Sequence, residues 1–137
     1  ISAKTGLPLP RFVSLKVNKV NLRRGPSLNY KIDWVYKRKH LPLMIVSEFG
    51  HWRKVTDFED YTGWIYKDLL SGSRYIIVNT KETLLRNKAS FNSLGKAILK
   101  REVIGKLIDC EGLWCFIRVK NLRGYVLAEH IWGVKID

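Results

Sequence analysis

One order of landmarks runs through the chain twice, and that repetition restricts its fold more than any other feature. Residues 17–72 carry Asn21-Leu22-Arg23-Arg24-Gly25-Pro26-Ser27, then Gly50-His51-Trp52-Arg53-Lys54-Val55, then Gly63-Trp64-Ile65-Tyr66. Residues 78–133 carry Leu84-Leu85-Arg86-Asn87-Lys88-Ala89-Ser90, then Gly112-Leu113-Trp114-Cys115-Phe116-Ile117, then Gly124-Tyr125-Val126-Leu127. Arg23 and Trp52 are 29 positions apart and Arg86 and Trp114 are 28 apart. The same order at nearly the same spacing implies two copies of one small domain. Units of roughly 55–60 residues stand near the lower limit for folding without metals or several disulfides. Two such marginal cores are expected to pack against each other.

The runs between landmarks are short and rich in β-formers. Arg11–Val20 leads, followed by Ile32–Tyr36, Leu43–Glu48, Trp52–Thr56 and Thr62–Tyr66, with turn chemistry at Gly25-Pro26-Ser27, Phe49-Gly50 and Asp57–Asp60. Ser71-Gly72-Ser73 closes the first unit, and Arg74–Val78 is too apolar for a floppy linker. The second unit repeats the scheme at Thr83–Leu85, Lys96–Leu99, Val103–Cys110, Cys115–Val119 and Gly124–Val126. Neither unit holds an amphipathic run long enough for a helix of ten residues. Short strands with regular turns predict an all-β protein built of small closed barrels or sandwiches, in which closure removes exposed edges. The expected division is an arm at 1–10, a first barrel at 11–73 and a second at 74–137.

These motifs resemble those of bacterial SH3 domains. Asn21-Leu22-Arg23-x-Gly25-Pro26-Ser27 is similar to the opening motif of that family, Gly50-x-Trp52-x-x-Val55 to its central strand, and Gly63-Trp64-Ile65 to its closing strand. The second unit is a degenerate copy: Lys88-Ala89 replaces Gly25-Pro26, and Tyr125 replaces Trp64, while Arg86, Ser90, Gly112, Trp114 and Gly124 remain. The whole arrangement resembles exported proteobacterial proteins with two tandem bacterial SH3 domains, whose second copy often carries C-x-G-x-W-C, as Cys110–Cys115 does here. The resemblance implies two tandem SH3-like barrels and a module that recognises peptidoglycan or a cell-envelope protein or peptide.

Several landmark residues have structural readings. Gly25-Pro26 falls where a long loop reverses, with proline fixing φ and glycine allowing φ > 0. Leu22 faces inward and Arg23 outward, so the Arg23 guanidinium, and Arg86 after it, is suited to satisfying loose loop carbonyls. Contact with a ligand is the alternative role. Trp52 and Trp114 supply buried area in barrels this small, with one ring face open to a groove as the alternative. Gly63 and Gly124 open the closing strands.

The candidate ligand-binding residues are Arg24, Tyr30, Trp34, His51, Tyr61, Trp64 and Tyr66, in the first unit only. At the positions of Trp64, Tyr66, Tyr61, Tyr30 and Trp34 the second unit is read as offering Tyr125, Leu127, Arg123, Ser93 and Ala97. That asymmetry suggests a first unit that binds and a second that supports. Aromatic grooves of SH3-like barrels hold extended peptides, and sugars stack on such rings. An interface between the two barrels would use the same residues.

Lys and Arg exceed Asp and Glu by 25 − 12 = 13. Such an excess favours polyanionic partners, among them nucleic acid and acidic wall polymers. No basic block exceeds Lys37-Arg38-Lys39-His40, and the cysteines and the Gly63-Trp64 closing motif count against nucleic acid, which is a secondary expectation beside a structural adaptor for a protein partner. No enzyme is expected. The three histidines lie outside any metal motif, no phosphate-cradling glycine loop opens a helix, and Asp57, Glu59 and Asp60 read as a solvated turn. No cofactor or metal is expected.

Cys110 and Cys115 flank a predicted hairpin turn, where opposed positions lie within disulfide reach. Two reduced core thiols or half a metal site are the alternatives. A disulfide would imply an oxidising compartment, hence a periplasmic or otherwise exported protein whose leader has been removed. No apolar run approaches the roughly 20 residues of a membrane-spanning helix.

Overall fold

Alternate burial along the short runs is what a barrel wall requires, because successive strand residues point to opposite faces. A computed structural model describes residues 1–135, which form strands joined by turns and two single-turn 3-10 segments. The chain divides into two compact units, Ile1–Ser73 and the remainder from Arg74.

The first unit contains β1 (Arg11–Leu15), β2 (Val20–Arg23), β3 (Ile32–Tyr36), β4 (Pro42–Phe49), β5 (Trp52–Thr56), β6 (Thr62–Tyr66) and β7 (Leu70–Ser71). The second contains β8 (Tyr75–Val78), β9 (Glu82–Arg86), β10 (Gly95–Lys100), β11 (Ile104–Glu111), β12 (Trp114–Val119), β13 (Leu122–Leu127) and β14 (Ile131–Trp132). The first sheet runs β3-β2-β6-β5-β4-β1-β7 and the second β10-β9-β13-β12-β11-β8-β14. The orders coincide strand for strand, so each unit is an SH3-like small β-barrel. The run Arg11–Val20, expected as one strand, is split: Lys16–Lys19 turn between β1 and β2. The Lys16 amide there donates to the Leu69 carbonyl.

Each barrel closes on its own core. Val13, Leu15, Val20, Leu22, Leu43, Ile45, Val55 and Ile65 are buried in the first. Ile76, Val78, Leu85, Leu99, Cys115, Ile117, Val126 and Ile131 cluster in the second. Burying a large aliphatic side chain stabilises by about 1.5–3 kcal/mol, so the eleven buried apolar side chains among the described residues of each unit make a small core.

The closing-motif glycines are needed for close approach. A Cβ on Gly63 would lie 2.5 Å from Leu22 Cγ, and one on Gly124 would lie 2.6 Å from the Arg86 carbonyl oxygen. These are the crossings β2–β6 and β9–β13, where Arg23 faces Trp64 and Arg86 faces Tyr125. Gly25 is a correction to the sequence reading. It is absent from the positive-φ residues; instead, the Tyr30 ring occupies the space a Cβ would take, at 2.5 Å.

One charged cluster is buried in the first barrel. Glu48 Oε2 accepts from Arg11 Nη2 and Arg53 Nε, each at 3.0 Å, and its side chain is only 3% exposed. Thr5 Oγ1 in the N-terminal arm donates to Glu48 Oε1 at 3.3 Å. Burial pushes the Glu48 carboxyl up, but hydrogen bonds from Ser2 and Arg11 and the charges of Arg11 and Arg53 outweigh it and hold the group below its ordinary range. Arg53 also donates to the Gly50 and Trp52 carbonyls, tying down the β4–β5 turn.

Candidate functional site

The loop residues Asp57–Tyr61 build the most exposed aromatic feature of the first barrel. Asp57 is not the solvated turn residue its neighbours suggested: it is 4% exposed. Its Oδ2 accepts from Tyr36 Oη at 2.7 Å, and its Oδ1 accepts from the backbone amides of Glu59 (2.9 Å) and Tyr61 (3.0 Å). The Asp57 amide donates to the Tyr61 carbonyl. Burial, then the Asp57 hydrogen bond and the charges of Asp57 and Glu59, drive the Tyr36 phenol far upward, so it stays a donor. A loop held at this many points presents Tyr61 in one place. Its ring lies parallel to Trp34, with an interplanar angle of 2° and centroids 6.4 Å apart. Trp34 is 62% and Tyr61 65% exposed.

The other candidates fall elsewhere. Trp52 meets Tyr66 edge-on at 5.6 Å, and the His51 ring stands 6.2 Å from Tyr66. Trp64 lies opposite Lys54 and Arg23 in the register. Strand alternation sets these groups apart: Trp34 pairs with Leu22, on the side of the buried Tyr36, whereas Trp52, Trp64 and Tyr66 project to the side away from Val55 and Ile65. The candidates therefore do not line one groove. For the same reason Trp52 and Trp114 are half-buried, while Val55 and Ile117 three positions on are fully buried. The tryptophans cover the barrel wall rather than fill its core.

Arg23 serves as a loop brace, its Nη1 donating to the carbonyls of Leu28 (3.2 Å) and Tyr30 (3.0 Å). Arg86 repeats this with Phe91 at 3.1 Å. Arg24 pairs with Asp33 at 2.9 Å and staples β2 to β3 rather than standing free. Pro26 is half-buried beside Gly25 in the same loop.

The second barrel is not bare of aromatics. Phe91 packs on Trp114 at 5.1 Å and Phe116 on Tyr125 at 4.8 Å, with the Arg86 guanidinium 5.4 Å from the Trp114 ring centre. The sequence repeat picks out Trp114 and Tyr125 of this set but not Phe91 and Phe116, which stand where the first unit has Leu28 and Lys54. Counted from Gly63 and Gly124, the equivalent of Tyr61 is Leu122 rather than Arg123.

Cys110 and Cys115 face each other in the β11–β12 ladder and form a disulfide, with S–S 2.08 Å and Cα atoms 4.0 Å apart. Such bonds persist in oxidising compartments. Among the described residues no group of three or more His, Cys, Asp or Glu is placed to hold a metal, and no helix is long and apolar enough to cross a membrane.

No curated protein matches the chain significantly. Among solved structures, NlpC2 from Trichomonas vaginalis is similar at 15% identity and a TM-score of 0.42, over 96% of this chain and 52% of that one. NlpC1 from the same organism is similar at 16% identity and a TM-score of 0.42, over 100% of this chain and 51% of the other. The chain thus spans about half the length of each. Residues 16–72 match the family described as Bacterial SH3 domain. That span begins beside β1 and ends beyond β7, enclosing Arg23, Gly25, Trp52 and Gly63, and the first unit is a bacterial SH3 domain.

Proposed function

We propose that the chain is a non-catalytic binding module of the bacterial cell envelope that holds peptidoglycan, or an envelope peptide, against the exposed aromatic pair of its first barrel. The observation that carries this reading is the parallel Trp34–Tyr61 pair, mostly exposed and braced from beneath by the buried Tyr36–Asp57 hydrogen bond. Flat rings held apart and open to water suit a sugar face or a proline-rich strand, since ordering the site costs little on binding. The disulfide supports placing the protein in the periplasm or another exported compartment.

Its non-catalytic character is part of the proposal. Both cysteine sulfurs are joined to each other, so neither offers a thiolate. His130 Nδ1 is engaged with Thr83 Oγ1 at 2.8 Å. His51 lies in the β4–β5 turn against Tyr66.

Co-sedimentation with isolated peptidoglycan sacculi across a salt range tests the reading. Retention that survives raised salt and disappears in Trp34→Ala and Tyr61→Ala is expected. Retention lost with modest salt and indifferent to both substitutions would leave only the charge of +13, and steep salt dependence on nucleic acid would then favour a phosphate-binding surface.

A further inference from the structure

The second barrel carries a cleft over the outer face of its β11–β12–β13 strands. It measures about 520 Å3 and is lined by Ile108, Asp109, Glu111, Trp114, Phe116 and Tyr125, with Ala89 at its rim. The ladder explains the composition. Asp109 faces Phe116 and Glu111 faces Trp114 across β11 and β12, and Phe116 faces Tyr125 across β12 and β13. A bulge between Leu107 and Asp109 sets the register. The result is a floor of half-buried rings with two exposed carboxylates along one margin.

The charges are informative against the whole-chain balance. In a protein of net charge +13, Glu48, Asp33, Asp68 and Glu82 each have a Lys or Arg within salt-bridge distance. Among the described residues Asp109 and Glu111 have none, as is also true of Glu59, Asp60 and Glu129; what distinguishes Asp109 and Glu111 is that they border this ring-lined cleft. The matching positions of the first barrel are Ser47, Phe49, Trp52, Lys54 and Trp64, where a lysine stands in place of Phe116 and no carboxylate is present. The rings already show the relevant chemistry, since the Arg86 guanidinium sits over Trp114.

We propose that this cleft binds a cationic side chain, lysine or arginine, of an extended partner peptide. Aromatic faces attract a cation through their quadrupole, and the two carboxylates accept charge-assisted hydrogen bonds from its N–H groups. The apolar floor covers the aliphatic stem. Bulk repulsion from the net positive charge fades within a Debye length of about 8 Å at physiological salt, so groups lining the cleft decide what enters. The site shares no residue with the Trp34–Tyr61 pair, and its failure would leave the envelope-binding reading untouched.

The test is a titration of the intact oxidised protein with a short capped peptide of alternating alanine and lysine, followed by NMR at the Trp114 indole N–H and the β11–β12 amides. Saturable shifts confined to this cleft are expected. They should vanish when every lysine is acetylated and weaken on the order of tenfold in Asp109→Asn/Glu111→Gln, with Glu129→Gln as the control for loss of a carboxylate outside the cleft. Equal binding of the acetylated peptide would overturn the proposal. So would equal weakening by Glu129→Gln, shifts located elsewhere, or no shift at all.

Discussion

The hairpins β4–β5 and β11–β12 are the same element solved twice with different chemistry. Each turns through two residues, Gly50-His51 and Gly112-Leu113, with the glycine at φ +57° in one and +60° in the other. One step before the turn, Phe49 faces Trp52 and Glu111 faces Trp114. At the next rung the first barrel places Glu48 against Arg53 and the second places Cys110 against Cys115. A buried ion pair and a covalent bond thus close the same rung. The inner residue of each pair, Arg53 or Cys115, sits at a buried wall position. What that position demands is a link across the ladder, not a particular side chain. The two links differ in what undoes them: acid for one, reductant for the other.

The largest effect is expected from Glu48→Leu. Removing one partner of a buried pair leaves charge without compensation, at a cost of about 3–5 kcal/mol. Here both Arg11 and Arg53 lose their carboxylate partner and keep only backbone carbonyls as acceptors. Chemical denaturation followed by hydrogen exchange should show the loss in β4–β5 amides while β11–β12 protection stays; equal loss in both hairpins would break the comparison. Reduction of Cys110–Cys115 comes next. The closed loop is short, so the chain-entropy estimate is about 2 kcal/mol, confined to the second barrel. A reductant effect on the first barrel would count against independent links.

Acid sharpens the contrast further. The Glu48 carboxyl is depressed in the folded state, so its contribution is fully present above the unfolded value of 4.5 and is lost as pH falls through the lower folded value. Below pH 4.5 the first barrel should lose stability progressively, and Glu48→Gln should flatten that dependence. Glu82 in the second barrel is also lowered, by its hydrogen bond to Lys100 and that residue's charge, but the pair is exposed and screened. Lys100→Ala should accordingly be the smallest effect here, with a thermal melt of the variant close to that of the parent.

Much of the fold could be read directly. Repeated Arg, Trp and Gly landmarks marked two barrels, and four strands of the first unit were placed within a residue or two because alternation and turn residues agree there. The equivalence of Glu48–Arg53 with Cys110–Cys115 was also present in the letters, as E-F-G-H-W-R beside C-E-G-L-W-C, and needed only a count back from each tryptophan. The candidate site was less legible. Asp57 looks like any acidic turn residue until Tyr36, 21 positions earlier, is brought beneath it. The aromatic set looked like one groove because composition carries no information about which face of a curved strand a ring leaves from. Phe91 and Phe116 escaped a position-by-position comparison because their counterparts, Leu28 and Lys54, are not aromatic.

The Tyr36–Asp57 bond has a consequence for anyone exchanging parts between the barrels. The loop after β5 spans Asp57–Tyr61, whereas the second barrel crosses the same gap with Lys120-Asn121. The position equivalent to Tyr36 is Leu99, buried to the same 6%. Transplanting the longer loop alone would bury a carboxylate beside leucine with no hydroxyl to meet it, a mismatch costing on the order of 1–3 kcal/mol or more. Loop and tyrosine form one heritable package, so a chimera can acquire the exposed ring pair only by taking both pieces together with Trp34, two residues before the tyrosine.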